Sequence, residues 1–350
     1  MTAAEVKRIA HRCGFELAGV AAALPNADFP RYRSWVDRGH AGGMSYLADR
    51  RADVRSEPRN LLPSARSIVC VGRLYNGPQP YSTELTDREL ATISRYAWGD
   101  DYHAVLRRGL EELAAELGPH DYKICVDTAP LLERSYARNA GLGWIGKNTC
   151  LINQHAGSWF FLGELITSLA LEPDAKVPDR CGSCTRCIEA CPTSALIPDG
   201  SGWTLDARLC ISYFTIELRG GVPQEHRAGI GTNIFGCDIC QDVCPWNARA
   251  AMTLDRQFAP RPFDRSLERL AAIGPEEFRG LFQQSPVART KYSGFLRNVA
   301  IAMGNSRSRR LLEPLRRLAE HDDPVIAEHA RWGIRQLEHV QESETNAIPA

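Results

Sequence analysis

The chain has 350 residues, 42 basic against 42 acidic side chains and 44% apolar content, the profile of an ordinary folded chain long enough for two or three domains. General disorder is excluded, and a neutral total excludes a chain coated all over by nucleic acid while leaving room for a local basic face. No run of about 18 apolar residues exists, and MTAAEVKRIAHRCGF carries Glu5, Lys7, Arg8 and Arg12 where a signal peptide has its apolar core, so no membrane span and a cytoplasmic location with reduced thiols are expected.

From Thr2 to Cys13 the apolar residues Ala3, Val6, Ile9 and Ala10 fall at helical spacing, and FELAGVA after Gly14 reads as a strand. SIVCVGRLY (Ser67 to Tyr75) reads as a second, buried strand. His103 to Gly118 places Leu106, Leu110, Leu113 and Leu117 on one face and ends in glycine, as an amphipathic helix does. YKICVDTAP then reads as a strand delivering Asp127 to a loop closed by Pro130, LLERSYARNAG as a helix, and KNTCLIN and SWFFLGELITSLA as paired strands or a strand entering a helix. Residues 1–175 form one α/β unit in this reading, 176–255 a small cysteine-rich unit and 256–342 a stack of helices, with 343–350 a frayed tail. The three expected tail helices run from Gly294 to Met303, Ser308 to His321 and Pro324 to His339, and RNVAIAMGN and EHARWGIRQ form a weak repeat within them.

Eight of the twelve cysteines fall between Cys181 and Cys244. Cys181, Cys184, Cys187 and Cys191, the last followed by Pro192, reproduce the bacterial ferredoxin spacing, in which three thiolates hold one cubane and the fourth ligates another. Cys237, Cys240 and Cys244, followed by Pro245, match the last three cysteines of such a run, and Cys210 supplies the missing one. Two 4Fe-4S clusters follow, one on Cys181, Cys184, Cys187 and Cys244, the other on Cys191, Cys210, Cys237 and Cys240, with centres about a dozen ångströms apart. The competing reading is a pair of zinc sites, but zinc takes separated CxxC knuckles and not a triple run closed by Cys-Pro.

Clusters carry single electrons, so the residues in front of them must hold other chemistry. Gly141-Leu-Gly143-Trp-Ile-Gly146 is a literal GxGxxG in the wrong context, following a helix and preceding a strand, and Lys147-Asn148 lacks the Ser or Thr of a phosphate-binding loop. Asp127 is either a partly desolvated proton donor or the N-cap of the helix after it. Asp101-Tyr-His103 begins the D-x-H-x-x-G pattern of histidine-ligated cobalamin, yet Leu106 occupies the glycine position, and His103 is expected to cap or pack at its helix start. Cys13, Cys70 and Cys125 read as core residues, and packing is also the reading for Cys150. From Arg289 to Arg310 six basic residues, Arg289, Lys291, Arg297, Arg307, Arg309 and Arg310, occur without an acidic one. Tyr292 and Phe295 among them could stack bases, so this stretch is either a phosphate-binding face or an ordinary solvated helix face.

SRYAWGDDYH, VDTAPLLERSYARNAGLGWIGKNTCLI, SWFFLGELIT, CGSCTRCIEACPTSAL and GCDICQDVCPWN together resemble the epoxyqueuosine reductases over nearly the whole chain. That resemblance implies an α+β, multidomain chain: a nitroreductase-like α/β domain binding cobalamin, a ferredoxin-like double-cluster domain and a C-terminal HEAT-like α-helical repeat gripping tRNA. It implies reduction of epoxyqueuosine to queuosine at the tRNA wobble position, Asp127 as proton donor in neutral carboxylic acid form, and corrin contacts from Arg55, Asp127, Cys150, Asn153, Glu164, Ser212 and Asp238. An external electron donor and a monomer are expected. The alternatives are a reductive dehalogenase, which also pairs cobalamin with two clusters, and a non-catalytic electron carrier, which leaves the N-terminal unit unexplained.

Overall fold

The computed structural model describes residues 1–200 and 202–345. Helix α1 (Ala3–Arg12) opens on a reciprocal cap between Thr2 and Glu5 and buries Val6, Ile9 and Ala10, the face expected from their spacing. Strands β1 (Leu17–Ala22) and β2 (Ser67–Leu74) precede helix α2 (Tyr102–Glu116), strand β3 (Tyr122–Cys125), helix α3 (Glu133–Asn139) and strand β4 (Phe160–Thr167). The four strands form one antiparallel sheet in the order β1-β2-β4-β3. The central strands β2 and β4 are covered on both faces, which is why SIVCVGRL and FFLGELIT lack polar alternation.

One sheet face packs Val69, Val71 and Leu165 against α1 and α2. The other packs Ile68, Cys70, Cys125 and Ile166 against Tyr136 and Ala137 of α3 and Ala140 at its C-terminal cap. Gly19 permits that approach, since a Cβ there would lie 2.1 Å from the carbonyl oxygen of Ala140. The pairing expected between KNTCLIN and SWFFLGELITSLA does not form. Leu151–Ile152 pairs instead with Trp144–Ile145, because the GLGWIGKN segment folds back as a hairpin, while β4 lies between β2 and β3.

The helical tail consists of α4 (Lys291–Asn305), α5 (Leu312–Ala319) and α6 (Pro324–Thr345), preceded by short helices Leu267–Ala271 and Pro275–Phe282 that the sequence reading passed over. Gly304 lies against Gly333, where a Cβ would come within 2.7 Å of the Gly333 Cα, so the small residues of the weak repeat mark a close crossing of α4 and α6. α6 runs past the expected His339 to Thr345; the frayed tail placed at 343–350 therefore starts as helix, and 346–350 lie outside the described residues. The borders at 175 and 255 do not separate independent cores. Strand Asn233–Phe235 pairs in parallel with Thr92–Ile93, and both bury side chains in the core that holds Leu267, Phe282, Phe295 and Leu315.

Arg297 belongs to this interior. It is 1% exposed and donates to the carbonyl oxygens of Leu218 at 2.9 Å, Gly220 at 2.7 Å and Phe214 at 2.5 Å, around the π-helical turn Tyr213–Glu217. Its neighbour Asn298 donates to Thr215 and Ile234 carbonyls, each at 2.8 Å. Burial pulls the Arg297 pKa down to about 10, so the group stays charged at neutral pH. A guanidinium committed to buried carbonyls has nothing to offer a phosphate, and Arg297 leaves the expected nucleic-acid set. Arg297→Met is expected to cost about 2–4 kcal/mol of stability by stranding those acceptors, read from the midpoint of denaturant unfolding.

Candidate active site

At the end of β3 the chain turns sharply, and Asp127 adopts a left-handed backbone with φ 54°. Its amide donates to Glu133 Oε1 at 2.6 Å, and its side chain, 47% exposed, faces out of the fold. Asp127 is not a helix cap: α3 begins at Glu133, six residues on, with Leu132 in the cap position. Asp127 Oδ2 instead accepts from His103 Nε2 at 3.3 Å, while His103 Nδ1 bonds Asp101 Oδ1 at 2.7 Å. Asp101 also caps α2 by accepting from the amide of His103 at 3.0 Å, which fixes the imidazole between the two carboxylates. His103 thus does more than pack at a helix start, as the sequence reading expected; the D-x-H spacing pointed to it for a different reason.

Burial opposes charge on His103, but Asp101 and Asp127 outweigh it and lift the imidazole pKa to about 9. Burial pushes Asp127 up, yet the hydrogen bond and charge of His103 more than offset it and hold the carboxyl below its ordinary range. The balance favours a charged Asp127 paired with a protonated His103 at neutral pH.

The helix that follows is tied to a second strained turn. Thr149 has φ 63°, and its carbonyl accepts from Arg134 Nη1 at 2.6 Å. The GxGxxG segment leading to it is a packing device: a Cβ on Gly143 would lie 2.2 Å from the Ile152 carbonyl oxygen, and one on Gly141 2.6 Å from that of Ala175. Lys147 Nζ donates to the carbonyls of Gly182 at 2.8 Å and Cys184 at 3.0 Å, and Asn148 Nδ2 donates to that of Cys240 at 3.2 Å. These residues hold the cysteine loops.

The thiols fall into two neighbourhoods. Burial, then the charges of Cys244, Cys181 and Cys184, push Cys187 up to about 11, and Cys244 rises for the same reasons. Burial likewise raises Cys237, which feels Cys210 and Cys191, and Cys240, which feels Cys237 and Cys210. Cys240 also feels Cys150 and, from the other set, Cys187, so the two sets adjoin. Trp144 and Trp246 pack with Cys181 and Cys244, and Cys191 Sγ accepts from the amide of Ala195 at 3.3 Å. Both features suit a shielded iron–sulfur site.

Cys150 is half-buried near Arg134, Cys244 and Cys187, and burial raises its pKa to about 11. Ser212, half-buried, precedes the π-helical turn, and Arg55 is buried, donating to the Arg51 carbonyl at 2.9 Å beside the Tyr32 ring. Asn153 donates to the Leu142 carbonyl at 2.7 Å and accepts from the His155 amide at 2.8 Å, and both Asp238 oxygens are taken, by Ser94 Oγ at 2.5 Å and the Arg95 amide at 2.7 Å. Glu164 has no exposed surface at all, so it is withdrawn as a corrin contact. Lys291, Arg307, Arg309 and Arg310 are exposed, whereas Arg289 turns inward to Glu217 at 2.7 Å and to the Tyr46 hydroxyl at 3.1 Å, where its charge also reaches Asp127.

Residues 180–247 match a family described as a 4Fe-4S double cluster binding domain, which counts against the zinc alternative, and residues 55–128 one described as "Epoxyqueuosine reductase QueG, DUF1730". The epoxyqueuosine reductase of Xanthomonas campestris pv. campestris is 41% identical over 344 residues, covering 95% of this chain and 96% of that protein. The chain belongs to the epoxyqueuosine reductase family. The epoxyqueuosine reductase of Escherichia coli K12 is 37% identical over 343 residues, with 95% and 89% covered. A crystal structure of epoxyqueuosine reductase with an epoxyqueuosine-modified tRNA-Tyr stem loop superposes with a TM-score of 0.87 at 31% identity, over 99% of this chain and 94% of that one. The Streptococcus thermophilus epoxyqueuosine reductase superposes with a TM-score of 0.86 at 30% identity, with the same coverage. The chain is therefore an oxidoreductase of mixed helix and sheet with a double-cluster region, and no helix among its described residues is long and apolar enough to cross a membrane.

An imidazole raised in this way stabilises the epoxyqueuosine reductase fold fully below its ordinary 6.5, and the contribution is lost as pH rises through about 9. An NMR titration should place the His103 midpoint near 9 and move it down in Asp127→Asn. A wild-type midpoint at the ordinary value would remove the ion pair.

Proposed function

We propose that the chain reduces epoxyqueuosine to queuosine at the wobble position of tRNA, opening the epoxide and releasing its oxygen as water at the cost of two electrons and two protons. The observation that carries this reading is the half-exposed Asp127–His103 pair on a chain whose residues 180–247 match a double-cluster domain. Bound cobalamin would supply a strongly nucleophilic reduced metal for the two-electron step, fed by the clusters one electron at a time. Cys150, Ser212 and Asp127 have surface to hold it; Arg55 has little. His103 Nε2 stores the proton, Asp127 hands it to the departing oxygen, and Arg289 and Tyr46 border the same turn.

We further read the N-terminal sheet and helices as the nitroreductase-like part, and the crossed tail helices as HEAT-like. Lys291, Arg307, Arg309 and Arg310 would meet tRNA phosphates while the unstacked wobble base enters the site. A small halogenated substrate has no use for that exposed basic set, which favours tRNA over the dehalogenase reading. The protein would act as a cytoplasmic monomer with an external electron donor.

The test is an anaerobic assay of protein reconstituted with iron, sulfide and cobalamin, given a chemical reductant and tRNA carrying epoxyqueuosine, with nucleosides weighed by mass spectrometry. Loss of one oxygen is expected, and an unchanged nucleoside from fully loaded protein overturns the reading. Asp127→Asn should lower turnover by about 100-fold or more while cluster content and tRNA affinity hold; near-normal turnover removes Asp127 as donor. Replacing Arg309 and Arg310 by alanine should flatten the salt dependence of tRNA binding by about 0.7–0.9 for each phosphate no longer neutralised. An unchanged slope removes both residues from the interface.

A further inference from the structure

Glu164 is the buried charge-bearing group that the reaction leaves unused. In the sheet it stands opposite Cys70 of β2 and Cys125 of β3, so all three side chains leave the same face, beneath α3. It has no exposed surface, and neither carboxylate oxygen meets a hydrogen-bond donor. What does reach it is another carboxyl, that of Glu133 in the first turn of α3. Drawn as two carboxylates the pair has no bond between them and a bare buried charge, an arrangement costing many kcal/mol. One proton between them replaces repulsion by a short charge-assisted bond.

We propose that Glu133 and Glu164 share a single proton beneath Asp127, and that this singly protonated pair is the positioning device holding the Asp127 turn. The inference rests on the reading of Asp127 as proton donor. Glu133 Oε1 accepts the Asp127 amide at 2.6 Å, at the residue whose left-handed backbone needs holding. With one proton present, Glu164 donates to Glu133, and the remaining negative charge stays on the oxygen that grips the amide. Loss of the proton leaves two like charges in contact. Their separation draws Glu133 off the amide, and the turn is released.

The surrounding groups do not supply another counter-charge for Glu164. Cys70 and Cys125 are held neutral, since burial pushes both thiols up. Arg134, next to Glu133 on α3, spends its guanidinium on the Thr149 carbonyl, and Tyr102 and His103 of α2 face Asp127. Asp127 adds a further negative charge that opposes ionisation of the pair. Burial, then Asp127, push Glu133 up, and burial, then Glu133, push Glu164 well above its ordinary range, so the proton is retained at neutral pH. The shared proton's contribution to stability is therefore present at neutral pH and is lost as pH rises through the raised pKa of Glu164.

Infrared difference spectra and amide exchange on the full-length, cluster-loaded protein without substrate test the proposal. At pH 7 the wild type should show a protonated carboxylic acid carbonyl band, sensitive to deuterium, that is absent from Glu164→Gln. Exchange of the peptide containing Asp127, corrected for its intrinsic pH dependence, should lose protection in the wild type as pH rises from neutral into the alkaline range where Glu164 ionises. It should stay protected in Glu164→Gln, whose neutral amide keeps donating to Glu133. Should Glu164→Gln fail to retain iron, Glu133→Gln serves for the spectrum, because its amide donates to an ionised Glu164 and the band is again lost. A wild type without the band, a band surviving both substitutions, or protection that ignores pH overturns the shared proton. Neither readout involves turnover, so failure here is distinct from failure of the epoxyqueuosine assay.

Discussion

The site depends on the first turn of α3. Two consecutive side chains, Glu133 and Arg134, reach in different directions to the two left-handed non-glycine residues nearest the site, one to the Asp127 amide and the other to the Thr149 carbonyl. A non-glycine residue in that region costs of order 1–3 kcal/mol and persists only where its surroundings over-determine it. Here the surroundings are a helix packed flat on the sheet through Tyr136, Ala137 and Ala140, close enough that Gly19 must lack a side chain. The helix transmits the position of the sheet to the acid on one side and to the residues gripping the cysteine loops on the other.

Proton placement in this molecule follows from which groups have counter-charges. His103 lies between two carboxylates and keeps its proton at neutral pH in spite of partial burial. Glu164 lies deeper, against a like group, and desolvation decides the outcome there. Asp127 stands between these two settings, touched by the cation through its side chain and by a carboxylate through its backbone. An aspartate so placed can be ionised in the resting chain and still be the last atom a proton leaves, because the imidazole behind it holds the store.

What could be read from sequence was local. Cysteine spacing is a property of a few consecutive turns, so a double-cluster region was legible from Cys181 to Cys244. The apolar runs of β2 and β4 and the leucine face of α2 were legible for the same reason. Asp127 stood out because an apolar strand ended at it. The contact of Glu164 with Glu133 was not legible, because it arises from strand register across a sheet whose order, β1-β2-β4-β3, departs from chain order. Nor could charge counting separate Arg297, buried among carbonyls, and Arg289, paired with Glu217, from the exposed Arg309 and Arg310. Composition records charge, and only the fold records which way it faces.

The grip of Lys147 and Asn148 on the carbonyls of Gly182, Cys184 and Cys240 bears on modularity. A ferredoxin carries its own scaffold and can be moved between proteins as a cassette. Here the ligand loops borrow donors from a hairpin some 35 to 92 residues earlier in the chain, and the strand before Cys237 borrows a partner at Thr92–Ile93. The ferredoxin spacing has thus been kept while its autonomy has been given up: the cysteine loops have their full set of backbone partners only where the N-terminal hairpin stands beside them.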